Sequence, residues 1–169
     1  MRIVVIADTH MPKRAKHLPK RLIEGLINVD LILHAGDWQT REVLEELTVY
    51  APVQGVAGNV DGDDLHSLFG KRKVLDFGNI SIGLTHGDGK SKTTEKRALD
   101  DFAFDDVDIV IFGHSHIPVL KKHEDIILFN PGSPTDKRRS PSYSYGIIDI
   151  GETVVLKHVF FENKEGLSE

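Results

Sequence analysis

Apolar residues along this chain come in short blocks, each stopped by a small or polar residue. Residues 2–7 (RIVVIA) are a β-branched run without helical period, which predicts a buried strand. Residues 19–28 (PKRLIEGLIN) place Leu22, Ile23, Leu26 and Ile27 at helical spacing, with Pro19 near the start. Val29 to His34 predicts a second strand, ending at Ala35-Gly36-Asp37. A second helix with Val43, Leu44 and Leu47 on one face follows, with Thr40 as the expected N-cap and Glu42 in its first turn. Val53 to Ala57 predicts a third strand, stopped by Gly58-Asn59. Strand, helix, strand, helix, strand in this order predicts βαβ units and a parallel sheet.

The second half alternates differently. Lys73–Phe77 and Ile80–Thr85 flank Gly78-Asn79, a turn dipeptide, and predict a hairpin. Residues 91–104 predict a helix capped by Ser91, with Leu99, Phe102 and Ala103 inward. Asp108–Phe112, Pro118–Lys122, Ile126–Phe129, Tyr143–Ile150 and Thr153–Phe161 read as strands, most joined by short turns. A parallel first half thus meets a more antiparallel second half. The pattern predicts an α/β fold of two stacked sheets with helices outside, one domain over residues 1–169. The charged tail 162–169 is expected to fray.

Composition narrows the chemistry. The chain has 169 residues, nine histidines and no cysteine. Disulfides, thiolate nucleophiles, iron–sulfur clusters and cysteine-type zinc sites are excluded. Any metal must be held by nitrogen or oxygen. A net charge of −5 and no evident basic stripe argue against nucleic acid as a partner. No apolar run suits a secretion signal or a membrane span, so the chain is expected to be cytoplasmic, without membrane attachment. Homo-oligomerisation stays open.

Candidate chemistry collects where strands end, which is where open α/β sheets bind ligands. Asp8 and His10 follow the first strand, Asp37 the second and Asn59 the third; His86 follows the hairpin, and His114 and His116 the next strand. This is a list of N/O metal ligands. On extended backbone, residues i and i+2 point the same way, so Asp8 with His10, and His114 with His116, could each face one centre. Their Cα atoms would lie roughly 6–7 Å apart, suited to two metals about 3.5–4 Å apart. Asp37, with two oxygens, could bridge them. Asn59 would ligate without further cancelling the charge that a phosphate must feel. Gly87 to Lys92 is glycine-rich but lacks the GxxxxGK[ST] pattern of a phosphate-binding loop.

Together, Asp8-x-His10, Gly36-Asp37, Gly58-Asn59, Thr85-His86-Gly87 and Gly113-His114-Ser115-His116 resemble the calcineurin-like metallophosphoesterases. The length and Asn130-Pro131-Gly132-Ser133 resemble their small single-domain, YfcE-type phosphodiesterase branch. The resemblance implies a four-layer α/β/β/α sandwich of two mixed sheets flanked by helices. It implies two divalent metals, one on Asp8, His10, Asp37 and His116, the other on Asp37, Asn59, His86 and His114. It further implies that Asp37, Asn59 and His114 serve catalysis, and that a metal-bridging hydroxide attacks a small phosphoester in line. Mn²⁺ suits such a shell; Fe, Ni, Co or Zn also fit. Larger members carry His directly after the Asn, where it helps the leaving group. This chain has Val60 there, so activated leaving groups are expected. The alternatives are a non-catalytic protein-interaction scaffold on the same fold, as a related retromer coat subunit is used, or a nuclease.

Other polar residues are open to plainer readings. His34 is either a donor behind the ligands or a satisfied buried histidine. Trp38 either lines the site or packs in the core. Asp61 either orients a ligand or caps the next helix. Lys13, Arg14 and Lys16 either steer phosphate or form a solvated loop, and Lys137-Arg138-Arg139, in a long loop after Ser133, either flank the substrate or are likewise solvated; the solvated loop is the plainer reading of both. His17, His66, His123 and His158 are given no role.

Overall fold

Strand β1 (Arg2–Ile6) is buried on both faces, and its alternation sets the layers. Val4 and Ile6 face one hydrophobic cluster, Ile3 and Val5 another. The computed structural model describes residues 1–164. After β1 come α1 (Lys20–Leu26), β2 (Leu31–His34), α2 (Glu42–Thr48), β3 (Val53–Gly55) and α3 (Asp63–Phe69). Then follow β4 (Arg72–Asp76), β5 (Ser81–Thr85), α4 (Thr94–Asp101), β6 (Ile109–Ile111), β7 (Val119–His123), β8 (Ile126–Asn130), β9 (Tyr143–Ile150) and β10 (Val154–Phe161).

Two five-stranded mixed sheets result, ordered β10-β9-β1-β2-β3 and β4-β5-β6-β8-β7. In the first, β1, β2 and β3 are parallel, and β9 lies antiparallel to β1. In the second, β5, β6 and β8 are parallel, with β4 and β7 antiparallel at the edges. The division therefore differs from a parallel half and an antiparallel half. The last two strands return to the first sheet, which carries the chain from β8 in one sheet to β9 in the other.

The inner layer between the sheets holds Ile3, Val5, Leu31 and Leu33 against Ile82, Ile109, Ile111 and Phe129. Helices α1, α2 and α3 cover the outer face of the first sheet through Leu22, Leu26, Val43, Leu47 and Leu65. Helix α4 covers the second through Ala98, with Phe102 just beyond its end. This is the four-layer α/β/β/α sandwich. Among the described residues no helix is long and apolar enough to cross a membrane.

Local differences from the sequence reading have local causes. Thr40 does not cap α2; its hydroxyl donates to the Met11 carbonyl at 3.2 Å, because the loop after β1 runs alongside. The cap of α4 is Thr93, not Ser91, and its hydroxyl accepts the Lys96 N–H. Ala98 and Phe102 share that helix's inner side, which turns Ala103 out to solvent. Ile27 lies past the last turn of α1 and is exposed. Helix α3 has one buried apolar residue, Leu65, and so shows little amphipathic pattern. Of the tail, residues 165–169 lie outside the described residues, and the Lys164 ammonium donates to the carbonyls of Arg14 and Thr135.

Candidate metal centre

The first two strand ends are laced together beyond the sheet. Backbone N–H groups of Asp8, His10 and Met11 donate to the carbonyls of Gly36, Asp37 and Trp38 at 2.9–3.1 Å. The parallel ladder of β1 and β2 so continues into the loops and lays Asp8 beside Asp37. The loop after β8 closes the arrangement from above. The Ser133 hydroxyl donates to the Asp8 carbonyl (2.8 Å), and the Thr135 hydroxyl to the Thr9 carbonyl (2.6 Å). On the other sheet, Gly113 N–H donates to the His86 carbonyl (3.1 Å), and the Asn130 amide donates to Gly113 O and Ser115 Oγ.

These loops are not extended. Asp8, His10, Asp37, His114 and His116 all have positive φ, between 44° and 68°. The left-handed region costs a non-glycine residue free energy and persists where surrounding bonds enforce it. Asp8 and His10 are therefore brought together by left-handed turns, not by strand alternation, and the turns at His114 and His116 send those two rings to different donor groups. Gly58 allows the close approach of Asp37: a Cβ on it would meet Asp37 Oδ1 at 2.1 Å and Asp37 N at 2.4 Å.

All seven residues gather at one edge. Asp8, His10 and His116 each present a donor atom within 4.8 Å of the others, and Asp37, His86 and His114 do the same. Asp37 Oδ2 stands between the two groups, 3.4 Å from His10 Nε2 and 3.2 Å from His86 Nε2. Its Oδ1 accepts the Val60 N–H at 3.1 Å. Asn59 turns its amide oxygen to His86 Nε2 (3.1 Å) and His114 Nδ1 (3.2 Å). Each donor group thus draws residues from both sheets, and the Asp37 carboxylate lies between the two groups.

Hydrogen bonds behind the rings decide which nitrogens face inward. His86 Nδ1 donates to the Ala35 carbonyl (2.7 Å), and His116 Nδ1 to the Asp136 carbonyl (2.5 Å). A carbonyl only accepts, so these nitrogens carry hydrogen. His116 then aims a bare Nε2 at His10 Nε2, 3.3 Å away. Burial lowers His10 and His114 below the usual histidine range, and His116 to about 4, which keeps all three neutral. Both Asp8 carboxylate oxygens are buried and have no hydrogen-bond partner. Burial pushes the Asp8 carboxyl up to about 7. Burial alone would also raise Asp37 and lower His86. Their mutual hydrogen bond and charge outweigh it, holding Asp37 at about 2 and His86 at about 9. The unpartnered Asp8 carboxylate oxygens, the bare Nε2 of His116 and the Asp37 carboxylate between the two groups are a donor set that divalent cations fit.

Residues behind the donors hold them in place. The Asp61 carboxylate accepts the backbone N–H groups of Asp37 (3.0 Å), Gln39 (2.8 Å) and Gly58 (2.7 Å). It positions the loops and caps no helix. His34 accepts Gly36 N–H on Nδ1 and meets the Thr9 hydroxyl with Nε2 (both 3.1 Å). Trp38 is a core residue, stacked on His34 and bonded to the Val56 carbonyl. Arg97 stitches the glycine-rich loop through the carbonyls of Gly87, Ser91 and Lys92. Thr135 and Asp136 escaped the sequence reading. Asp136 holds His116 through a carbonyl every residue owns, so no side-chain signal marks it.

Comparison with known proteins decides the family. The sequence model of the calcineurin-like phosphoesterase superfamily domain matches residues 1–153. The chain belongs to this superfamily. Within it, the chain is 40% identical to a probable metallophosphoesterase of Methanocaldococcus jannaschii over 139 residues, 82% of this chain and 70% of the relative. A probable metallophosphoesterase of Methanothermobacter thermautotrophicus is 37% identical over 143 residues, 82% of this chain and 80% of that one. Among solved structures, Vps29 of Entamoeba histolytica complexed with Zn²⁺ has a TM-score of 0.74 at 25% identity, covering 95% of this chain and 99% of that one. A novel archaeal phosphodiesterase has a TM-score of 0.72 at 22% identity, covering 95% and 100%. That last likeness shows the fold alone.

Proposed function

We propose that this calcineurin-like phosphoesterase is a dinuclear phosphodiesterase. The carrying observation is Asp37 Oδ2, placed between His10 of one donor group and His86 of the other. We assign one metal to Asp8, His10, Asp37 and His116, and the other to Asp37, Asn59, His86 and His114. Two divalent cations, when bound, supply Lewis acidity and an activated water for in-line attack on phosphorus. Mn²⁺ suits the mixed imidazole, carboxylate and amide donors, and the zinc complex of the Entamoeba histolytica protein makes Zn²⁺ the competitor.

The chain's own residues do the rest. Asp37 is held by Val60 N–H on one oxygen and shares the other between the groups. His114 is half-buried and neutral, and stands at the mouth beside Asn59. The Asn59 amide oxygen faces the two histidines, which leaves its NH₂ group as a donor for a phosphoryl oxygen. Val60 supplies no proton, so turnover depends on the leaving group. This leaving-group requirement favours a diester, the substrate class of the archaeal phosphodiesterase that shares the fold.

Metal analysis of the protein refolded with Mn²⁺ or Zn²⁺ is expected to give two ions per chain, with hydrolysis of bis-p-nitrophenyl phosphate that Asp37→Ala abolishes. His116→Ala and His114→Ala are each expected to lose one ion. Two bound ions with no turnover, in wild type and Asp37→Ala alike, would favour the scaffold reading.

A further inference from the structure

We propose that a basic groove beside the metal centre seats a second, non-scissile phosphate, so that the natural substrate is a phosphodiester carrying at least one further phosphate group. The inference rests on the phosphoesterase reading for the scissile end only. Its own support is the segment between His10 and α1, which the catalytic proposal leaves without a task.

That segment begins at the centre. Arg14 N–H donates to the His10 carbonyl at 2.8 Å. The Arg14 side chain pairs with Asp136 at 3.2 Å, and the Asp136 carbonyl is the one that orients His116. Arg138 approaches the same carboxylate from the following loop, at 3.7 Å. Arg14 also lines a groove of about 680 Å³, together with Lys13, Lys16, Lys20, Ile23 and Lys164. The volume lies within the roughly 300–1,000 Å³ of small-molecule sites.

The charges of this groove are poorly neutralised. Asp136 is one carboxylate against two arginines. Lys164 spends its ammonium on the carbonyls of Arg14 and Thr135, which position it but cancel no charge. Glu46 faces His17 and accepts the Leu18 N–H. Among the described residues no carboxylate pairs with Lys13, Lys16 or Lys20. A chain of net charge −5 thus gathers, among the described residues, cations without carboxylate partners around this groove. Such a patch raises the local concentration of anions. Several lysines lining one groove match a phosphate, which carries up to two charges and three acceptor oxygens, better than a carboxylate with one charge.

The test uses tripolyphosphate and the EDTA-treated full chain, so that neither metal nor turnover enters. A titration followed by backbone NMR is expected to show saturable binding with shifts centred on residues 12–20. Lys13→Gln/Lys16→Gln/Lys20→Gln is expected to weaken it at least tenfold, and the corresponding triple Arg variant to restore it. Absence of saturable binding, equal affinity in the Gln variant, or shifts centred elsewhere would overturn the proposal. A single-stranded oligonucleotide binding more tightly than tripolyphosphate would also overturn it, in favour of a nucleic-acid surface. Hydrolysis of bis-p-nitrophenyl phosphate is read separately. Turnover without tripolyphosphate binding removes the groove proposal and leaves the phosphodiesterase standing; binding without turnover does the reverse.

Discussion

The backbone N–H of Asp37 donates to the Asp61 carboxylate at 3.0 Å, so one acid sets the position of the other. Asp61 also accepts Gly58 and Gln39 N–H, and it is nearly buried. Removing it strands three backbone donors beside the proposed bridging residue. Asp61→Ala is expected to cost on the order of 3 kcal/mol in stability and to lower affinity for the Asp37, Asn59, His86 and His114 position more than for the other. Asp61→Asn, which keeps one acceptor oxygen, should fall between. Denaturant unfolding and a two-site metal titration read both. Wild-type stability in Asp61→Ala would show that the loops are held by something else.

The gathering of Asp8, His10, Asp37, Asn59, His86, His114 and His116 at one edge was legible because strand ends are legible: RIVVIA has to stop where polar residues begin. The backbone that gathers them was not. Spacing i, i+2 suggested strand alternation, whereas Asp8 and His10 converge through left-handed turns enforced by Gly36, Asp37 and Trp38 carbonyls. Such geometry depends on partners some thirty residues away, which no local window contains. The same holds for Asp136, whose carbonyl orients His116, and for Thr40, diverted from its helix by Met11. Two stacked sheets with helices outside were legible from the succession of strands and helices. The return of β9 and β10 to the first sheet was not, because pairing across sheets leaves no periodic trace.

Asp8 gives a stability test of the metal assignment. Burial raises its carboxyl to about 7, against an unfolded value near 4. An acid raised in this way binds more protons in the native state. Its contribution is therefore fully present below about pH 4 and lost as pH rises through about 7. At pH 8 the EDTA-treated protein carries a buried carboxylate whose oxygens accept no hydrogen bond. Asp8→Asn is expected to be more stable than wild type there, by on the order of 2 kcal/mol, with the gap narrowing at pH 5. Added Mn²⁺ or Zn²⁺ should stabilise wild type more than the variant, which keeps only the Asp37, Asn59, His86 and His114 position. Equal metal stabilisation of both would remove Asp8 from the donor set.

His34 gives a pH dependence of opposite sign. Burial, reinforced by the charge of His86, holds it well below the usual histidine range. Its Nδ1 accepts Gly36 N–H, so a proton there would set two donors against each other. The unfolded imidazole binds a proton below about pH 6.5 and the native one does not. The contribution is thus complete above about pH 6.5 and declines as pH falls. In EDTA-treated protein, the stability difference between wild type and His34→Gln is expected to shrink by about 1 kcal/mol from pH 7.5 to 5.5. Urea unfolding at the two pH values measures it, and a constant difference would contradict the neutral assignment.

Val60 gives the sharpest test of chemistry. It follows Asn59, is 44% exposed, and contributes only its backbone N–H, to Asp37 Oδ1. The resembling larger phosphoesterases carry a histidine at this point in the motif. Without a proton donor, the departing oxygen must leave as an anion, and the rate should fall steeply as the leaving alcohol becomes more basic. Val60→His keeps the backbone bond to Asp37 and adds an imidazole at the mouth. It is expected to leave bis-p-nitrophenyl phosphate turnover nearly unchanged and to raise turnover of a phenyl diester by roughly tenfold or more, within the range of general-acid catalysis. The measurement is kcat/KM against leaving-group pKa for both proteins. A flatter dependence in the variant supports a site that lacks only its acid. An unchanged slope would mean that protonation is already supplied elsewhere, or that bond cleavage does not limit the rate.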